Sequence, residues 1–329
     1  MRRFSKARGR EALAGYLFIM PNFVGFLIFT SWPVLYSLFL SFHQWDILRP
    51  KQYVGLTNFV RLVGFKKELV EVPVAGTRGM MESVVKIVPR DPVFWKYLFN
   101  TLFLMASIPL NILAALGLAI VLNQRLRGVV FFRTLFFLPS VTVGVALYML
   151  WRWIYNPDFG LLNCMTSQLC DLLGLPYFKI EWLSSTLWAK PALMLMTTWT
   201  VVGGRTMIIY LAALQTIPRE LYEAAEIDGA NGWQQFWHIT WPMLAPATFF
   251  VFVMSVIGGF QGGFEAQYIM TQGGPAGSTT GIAYYIYMNA FQWFHMGYAA
   301  AVSWVLFLVI FFLTLATWRF GSQATQYEV

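Results

Sequence analysis

The sequence predicts an all-α polytopic membrane protein with six transmembrane helices, and three observations carry that expectation. Hydrophobic residues make up 58% of the 329-residue chain and charged residues only 12%, an imbalance that no soluble domain of this length can bury. The apolar residues gather into long runs, near or above the ~20 residues needed to cross a bilayer core. Arg and Lys cluster at the start of the chain and in the link after the second run, as they do in cytoplasmic segments. At this length there is room for several crossings and little for a separate soluble domain, so residues 1–329 are expected to form one domain. The net charge of +8 does not point to nucleic acid, because the bases are scattered through loops with no basic stripe on a soluble scaffold. Orientation in membrane lipid accounts for it better. Cys164, Cys170 and the three histidines lack zinc-ligand spacing, so no metal is expected.

The first run spans residues 12–40 and follows Arg2, Arg3, Lys6, Arg8 and Arg10. It is too long for a signal peptide and no small-residue cleavage site closes it, so an uncleaved helix with a cytoplasmic N-terminus is expected. Pro21 and Pro33 should bend or divide it. Residues 43–96 then form the longest polar segment, an external loop. Within it, residues 73–92 are punctuated by Gly76, Gly79, Pro89 and Pro92 and read as an insertion of uncertain form. The second crossing is expected over 98–122, after Trp95 and Tyr97, and the link beyond it holds Arg125, Arg127 and Arg133. The third covers 131–154, with Trp151, Trp153 and Tyr155 as an aromatic belt at its outer end. Residues 156–190 are external, and there Cys164 and Cys170 either close a small loop in an oxidising compartment or stay thiols. The fourth crossing spans 191–214, the fifth 247–270 and the sixth 298–318, with Arg319 marking the inner end. Six crossings put both termini in the cytoplasm.

Between the fourth and fifth crossings, Glu223 to Pro246 reads EAAEIDGANGWQQFWHITWPMLAP. Glu223 to Asp228 are helix formers or acids suited to a first turn, Gly229 to Gly232 permit a sharp turn, and Trp233 to Ile239 resume an apolar helical pattern. The expectation is helix, turn, helix beside a bilayer. It would expose Trp233, Phe236 and Trp237, more apolar surface than a hydrated loop tolerates, so another protein should cover part of it. The alternative is an amphipathic interfacial helix.

Glu223, Ala224, Ala225, Asp228, Gly229, Ala230, Phe236, Ile239, Pro242 and Pro246 resemble, spacing included, the EAA loop of importer-type ABC transporter permeases. The resemblance implies a cytoplasmic coupling helix, at 219–246, that fits a cleft on an ATP-hydrolysing subunit and carries its motion into the membrane. YVGLTNFVRL from Tyr53, NPDFGLLN from Asn156, TQGGPAGSTTG from Thr271 and NAFQWFHMGYAAA from Asn289 are similar to the carbohydrate-type branch, the maltose and glycerol-phosphate-like permeases. The likeness covers most of the chain, is densest from Trp199 onward, and leaves out the 73–92 insertion and the first few residues. It implies a permease subunit of an ATP-driven importer of an oligosaccharide or related polyol, in the inner membrane of a bacterial or archaeal cell. The implied partners are a second related permease, two copies of an ABC ATPase and an extracytoplasmic solute-binding protein.

No GxxxxGK[ST] sequence appears, nor a GxGxxG turn after a strand, so the chain is not expected to bind nucleotide; no cofactor is expected, with ATP on the partner subunit. No Ser-His-Asp set or HExxH helix suggests an enzyme. The residues expected to dock the ATPase are Glu223, Ala224, Ala225, Asp228, Gly229, Ala230 and Phe236. Glu223 is the acid placed to meet a basic partner residue and also suits a helix N-terminus through the macrodipole. Gly229 supplies the turn where a side chain would crowd two approaching surfaces. Polar groups inside crossings are costly, so Arg205, Gln261, Glu265, Gln267 and Tyr268 are candidates for a solute pathway. Gln261, Glu265 and Tyr268 are three or four apart and would share one helical face. Alternatively they form an interfacial cap with packing glycines, and Arg205 snorkels to the surface. A competing reading, an ion-coupled carrier, would show an inverted repeat and leaves the loop motif without a purpose.

Overall fold

A computed structural model describes residues 2–73, 81–124, 127–142 and 144–325. Gly76, Gly79 and Arg125 lie outside the described residues, as do the side chains of Arg2, Arg3, Lys6, Arg8 and Arg10. The chain is mostly helical. Four helices are long and apolar enough to cross a membrane, or six if each of two bent pairs counts as one span. Strict all-α character is corrected by two small antiparallel pairs, described below.

The first run is one continuous rod: α1 (Arg2–Phe26), a π-helical turn at Leu27–Ser31, and α2 (Trp32–Ser41). Pro33 lacks the N–H that an α-turn needs, and the wider turn before it absorbs the mismatch, Trp32 donating to the Leu27 carbonyl. Pro21 leaves the helix unbroken. Strands β1 (His43–Gln44) and β2 (Gln52–Tyr53) pair, α3 (Thr57–Val63) follows, and β3 (Phe65–Pro73) pairs with β4 (Met81–Pro89) in register Phe65 opposite Pro89. Of the segment read as an insertion of uncertain form, residues 81–89 are the second arm of a hairpin.

The remaining helices differ from the expected crossings chiefly in being broken. The second span is α4 (Pro92–Met105) and α5 (Ile108–Asn123), interrupted just before Pro109. Where the third crossing is expected, α6 (Val129–Val141), with Pro139 inside, and α7 (Gly144–Ile154) form one of the two bent pairs, at 100°. Helix α8 (Leu161–Leu173) lies in the segment read as an external loop. It sets Cys164 and Cys170 about 9 Å apart along its axis, beyond disulfide reach, and both are free thiols. The fourth span is α9 (Ala189–Val202) and α10 (Arg205–Gln215). Its break at Gly203 and Gly204 is a close approach: a Cβ on Gly203 would lie 2.2 Å from the Phe136 carbonyl oxygen. After α11 (Arg219–Ile227), α12 (Gly232–Gln235) and α13 (Trp241–Met243) comes α14 (Ala245–Gln261), then α15 (Phe264–Ala266), α16 (Ile282–Tyr287) and α17 (Met296–Thr325).

Two compact units result, Met1–Asp91 with Ile286–Val305, and Pro92–Tyr285 with Leu306–Val329. In the first, the Asp91 carboxylate accepts from the Tyr298 hydroxyl, Arg61 lies over the Tyr298 ring, and the Trp304 indole donates to Ser37. Gly297 is needed there, since a Cβ would fall 1.8 Å from the His43 carbonyl oxygen. The second unit holds the larger core, where Ala115, Leu116, Ala119, Met207, Tyr210 and Leu244 pack from α5, α10 and the start of α14.

Candidate functional site

A cavity of about 400 Å³ opens in the second unit among α4, α5, α7, α9, α10 and α14. Most of its wall is apolar, with Met105, Leu193 and Met196 prominent, but polar groups punctuate it: Thr101, Asn111, Tyr148, Thr197, Thr200 and Gln267. Three helix breaks border it, through Ser107, Thr206, and Gly262 with Gly263. Irregular backbone at membrane depth is tolerated where it is buried in protein or lines a cavity, and these breaks meet that condition.

The polar side chains are held rather than loose. Gln267, 4% exposed, accepts from the Gly281 N–H at 2.8 Å through Oε1. Thr101 Oγ1 accepts from the Ile282 N–H at 2.9 Å and donates to the Tyr97 carbonyl. Asn111 Oδ1 accepts from Thr198 at 2.7 Å. The return loop Thr271–Gly281 that supplies Gly281 is itself pinned: Asn100 Nδ2 donates to the Gly277 and Thr280 carbonyls, each at 2.9 Å, and Lys96 to that of Ala276.

Of the five residues expected in a pathway, Gln267 alone lines this cavity. The shared face of Gln261, Glu265 and Tyr268 does not exist, because α14 ends at Gln261, Gly262 is extended and Gly263 adopts φ +82°. Glu265 instead lies beside Tyr148, a lining residue, and the Tyr268 ring stacks on Phe264 at 5.7 Å. Arg205 opens α10 and is exposed, while its neighbour Thr206 faces the cavity. Sequence reasoning missed Thr101, Asn111, Thr197 and Thr200, although each is a polar residue inside an apolar run.

The helix–turn–helix expected between the fourth and fifth spans is present, beginning just beyond Gln215. Helix α11 ends in a paired carbonyl closure: Gly229, at φ +77°, donates to Glu226, and Ala230 donates to Ala225 at 2.9 Å. Asn231 then caps α12 in a reciprocal capping box with Gln234. Nothing lies within 4 Å of a Cβ built on Gly229, so within this chain the glycine answers to backbone conformation, not to crowding. Phe236 departs from expectation. It packs inward with Tyr222, Ile239 and Trp241 against the core, while Trp233 and Trp237 stay 70% and 45% exposed. Glu223, Ala224 and Asp228 are exposed, Ala225 and Ala230 half-buried, and Ile227, not singled out from sequence, is 87% exposed. The Tyr222 hydroxyl and Thr240 bond at 2.8 Å, tying the two arms.

Comparison with known proteins bears on what this arrangement is. The model of the family described as binding-protein-dependent transport system inner membrane component matches residues 107–319. The probable ABC transporter permease protein YesP of Bacillus subtilis is 35% identical over 98% of this chain and 95% of its own length. The lactose transport system permease protein LacF of Rhizobium radiobacter is 36% identical over 90% of each chain. A chain of the bacterial alginate ABC transporter, solved with an alginate pentasaccharide-bound periplasmic protein, shares the fold, with a TM-score of 0.78 at 24% identity over 99% of this chain and 100% of that one. The chain, a multi-pass membrane permease subunit, belongs to the family of binding-protein-dependent transport system inner membrane components.

Proposed function

We propose that the chain forms part of the translocation pathway of an ATP-driven saccharide importer. One observation carries the reading: the loop at 219–243 is joined at both ends to walls of the cavity. Helix α10, which contributes Thr206, runs into α11 through Thr216 to Pro218, and α13 runs into α14, which contributes Ser255, Gly258 and Gly259. The loop is internally braced by the Gly229 closure, the Asn231 capping box and the Tyr222–Thr240 bond, so it moves as a unit. A displacement of that unit by an ATPase subunit is passed directly to two helices that bound the cavity. Glu223, Ala224, Asp228 and Gly229 present the contact surface, with Ile227 and Trp233 as its apolar part. Phe236, Ala225 and Ala230 act from beneath, holding the shape.

A solute rich in hydroxyls suits a wall of methyl, thioether and aromatic groups interrupted by Thr101, Asn111, Thr197, Thr200 and Gln267. The lactose system of the Rhizobium relative and the alginate oligosaccharide of the structural neighbour's complex support the saccharide class. The assembly we propose has a second related permease, two ATPase copies and an extracytoplasmic binding protein. Six spans put both termini and the 219–243 loop in the cytoplasm. ATP binds the partner, and this chain carries no cofactor and catalyses no reaction.

The test is uptake by proteoliposomes holding the assembled complex, with a panel of labelled oligosaccharides. Uptake that needs internal-facing ATP and loaded binding protein, and drops at least tenfold in Gln267→Ala or Asn111→Leu for the preferred solute, is the expected result. Accumulation driven by an ion gradient without ATP would make the chain a secondary carrier instead.

A further inference from the structure

A second cavity, also about 400 Å³, lies between α6 and α10 on residues that neither the solute pathway nor the loop uses. It is two-faced. Phe137, Met207, Ile208, Leu211 and Ala212 form an apolar wall, and Arg133, Thr134 and Gln215 stand at its polar end. Gly203 and Gly204, just before α10, meet Phe136 and Ser140 in α6, while Gln215 at the end of α10 and Arg133 near the start of α6 line the cavity together. From that end of α10 the chain leaves for α11.

Arg133 is only partly provided for. One Nη donates to the Leu122 carbonyl at 2.7 Å, closing the C-terminal turn of α5, while its Nε is buried without a hydrogen-bond partner. A buried donor left unmade is costly, and guanidinium next to a cavity is shaped to give two parallel hydrogen bonds to an oxyanion. No carboxylate lies among the lining residues. The position is where headgroups sit, at the end of membrane-spanning helices, and basic pockets between such helices take phosphate headgroups. A free anion would answer Arg133 yet leave the apolar wall bare. We propose that this groove binds an anionic phospholipid, its phosphate on Arg133 with Thr134 and Gln215, and an acyl chain along Phe137, Ile208 and Leu211. The lipid wedges α6 against α10 beside the loop at 219–243.

The experiment is native mass spectrometry of the assembled complex with dioleoyl-phosphatidylglycerol, its phosphatidylcholine counterpart, and glycerol 3-phosphate as the free anion. Arg133→Gln removes the phosphate donor. Because it also removes the α5 closure, Ala212→Phe serves as a second variant that fills the groove from an exposed position and leaves Arg133 in place. The expected result is retained phosphatidylglycerol on the wild type, at least tenfold weaker retention of phosphatidylcholine, no displacement by glycerol 3-phosphate, and at least tenfold loss of retention in both variants. Equal retention by wild type and Ala212→Phe, indifference to headgroup, or displacement by glycerol 3-phosphate overturns the proposal.

Discussion

Among single residues, the glycines separate into those that need room and those that need a conformation. Gly203 needs room. A methyl group there meets the Phe136 carbonyl oxygen, part of a backbone that cannot rotate away, at 2.2 Å. Gly203→Ala should therefore push α6 from the α9–α10 break and lower the melting temperature of the purified complex, whereas Gly117→Ala, in open space on α5, should leave it unchanged. Gly229 needs a conformation. Its φ of +77° costs an ordinary residue roughly 1–2 kcal/mol, but Asn visits that region readily. Gly229→Asn is expected to keep uptake within about threefold, and Gly229→Val to lose roughly tenfold, consistent with that strain. If Asn proves as damaging as Val while both proteins insert, the glycine is making space for the ATPase rather than shaping the turn. Gly229 was legible from sequence as a turn residue. Which of its two properties mattered was not, because both are spelled with the same missing side chain.

Among the helices and loops, the runs of apolar residues marked where the apolar helices lie but not always their ends: the helix expected over 247–270 stops at Gln261. The interruptions were harder to read. An apolar run reports that a segment is suited to lipid, not that its hydrogen-bond ladder is continuous, and the local signs of a break were the Gly203–Gly204 and Gly262–Gly263 pairs and Pro109 and Pro139. The error at Gln261, Glu265 and Tyr268 follows from that: helical periodicity was counted across a point where the helix stops. Gln267, chosen for being polar and not for its spacing, does line the cavity. The return loop Thr271–Gly281 shows what the breaks depend on. Asn100 satisfies two of its carbonyls, and Asn100 is buried, so water cannot replace it. Asn100→Ala would leave both acceptors unmade at roughly 1–3 kcal/mol each. A fall in melting temperature of roughly 4–24 °C is expected for a unit of this size. The slackened loop should also release Gln267, seen as reduced uptake with ATPase stimulation by the binding protein preserved.

For the protein as a whole, sidedness decides whether the loop can meet an ATPase at all. Positive charge near the first span and Arg127 and Arg133 after the second argue that these segments face the cytoplasm, though the basic residues of the 43–96 segment blunt the count. Two exposed positions give an independent measure. Cys164 is exposed on α8, between the third and fourth spans, and Ile227 is the most exposed large apolar residue of the docking loop, between the fourth and fifth. One candidate span, Ala189–Gln215, separates them, so on the proposed topology they are expected on opposite faces whichever way the protein inserts. A membrane-impermeant maleimide added to intact cells should label Cys164 and lose that label in Cys164→Ser. With Cys164 and Cys170 replaced by Ser, Ile227→Cys should be silent in intact cells and labelled after permeabilisation. Addition of the ATPase subunit to inside-out vesicles should then protect Ile227→Cys, and release of that subunit should restore labelling. The reverse pattern, with position 227 labelled from outside, would put the loop where no ATP-hydrolysing partner can reach it. The cavity would then have to be worked by some force other than ATP hydrolysis.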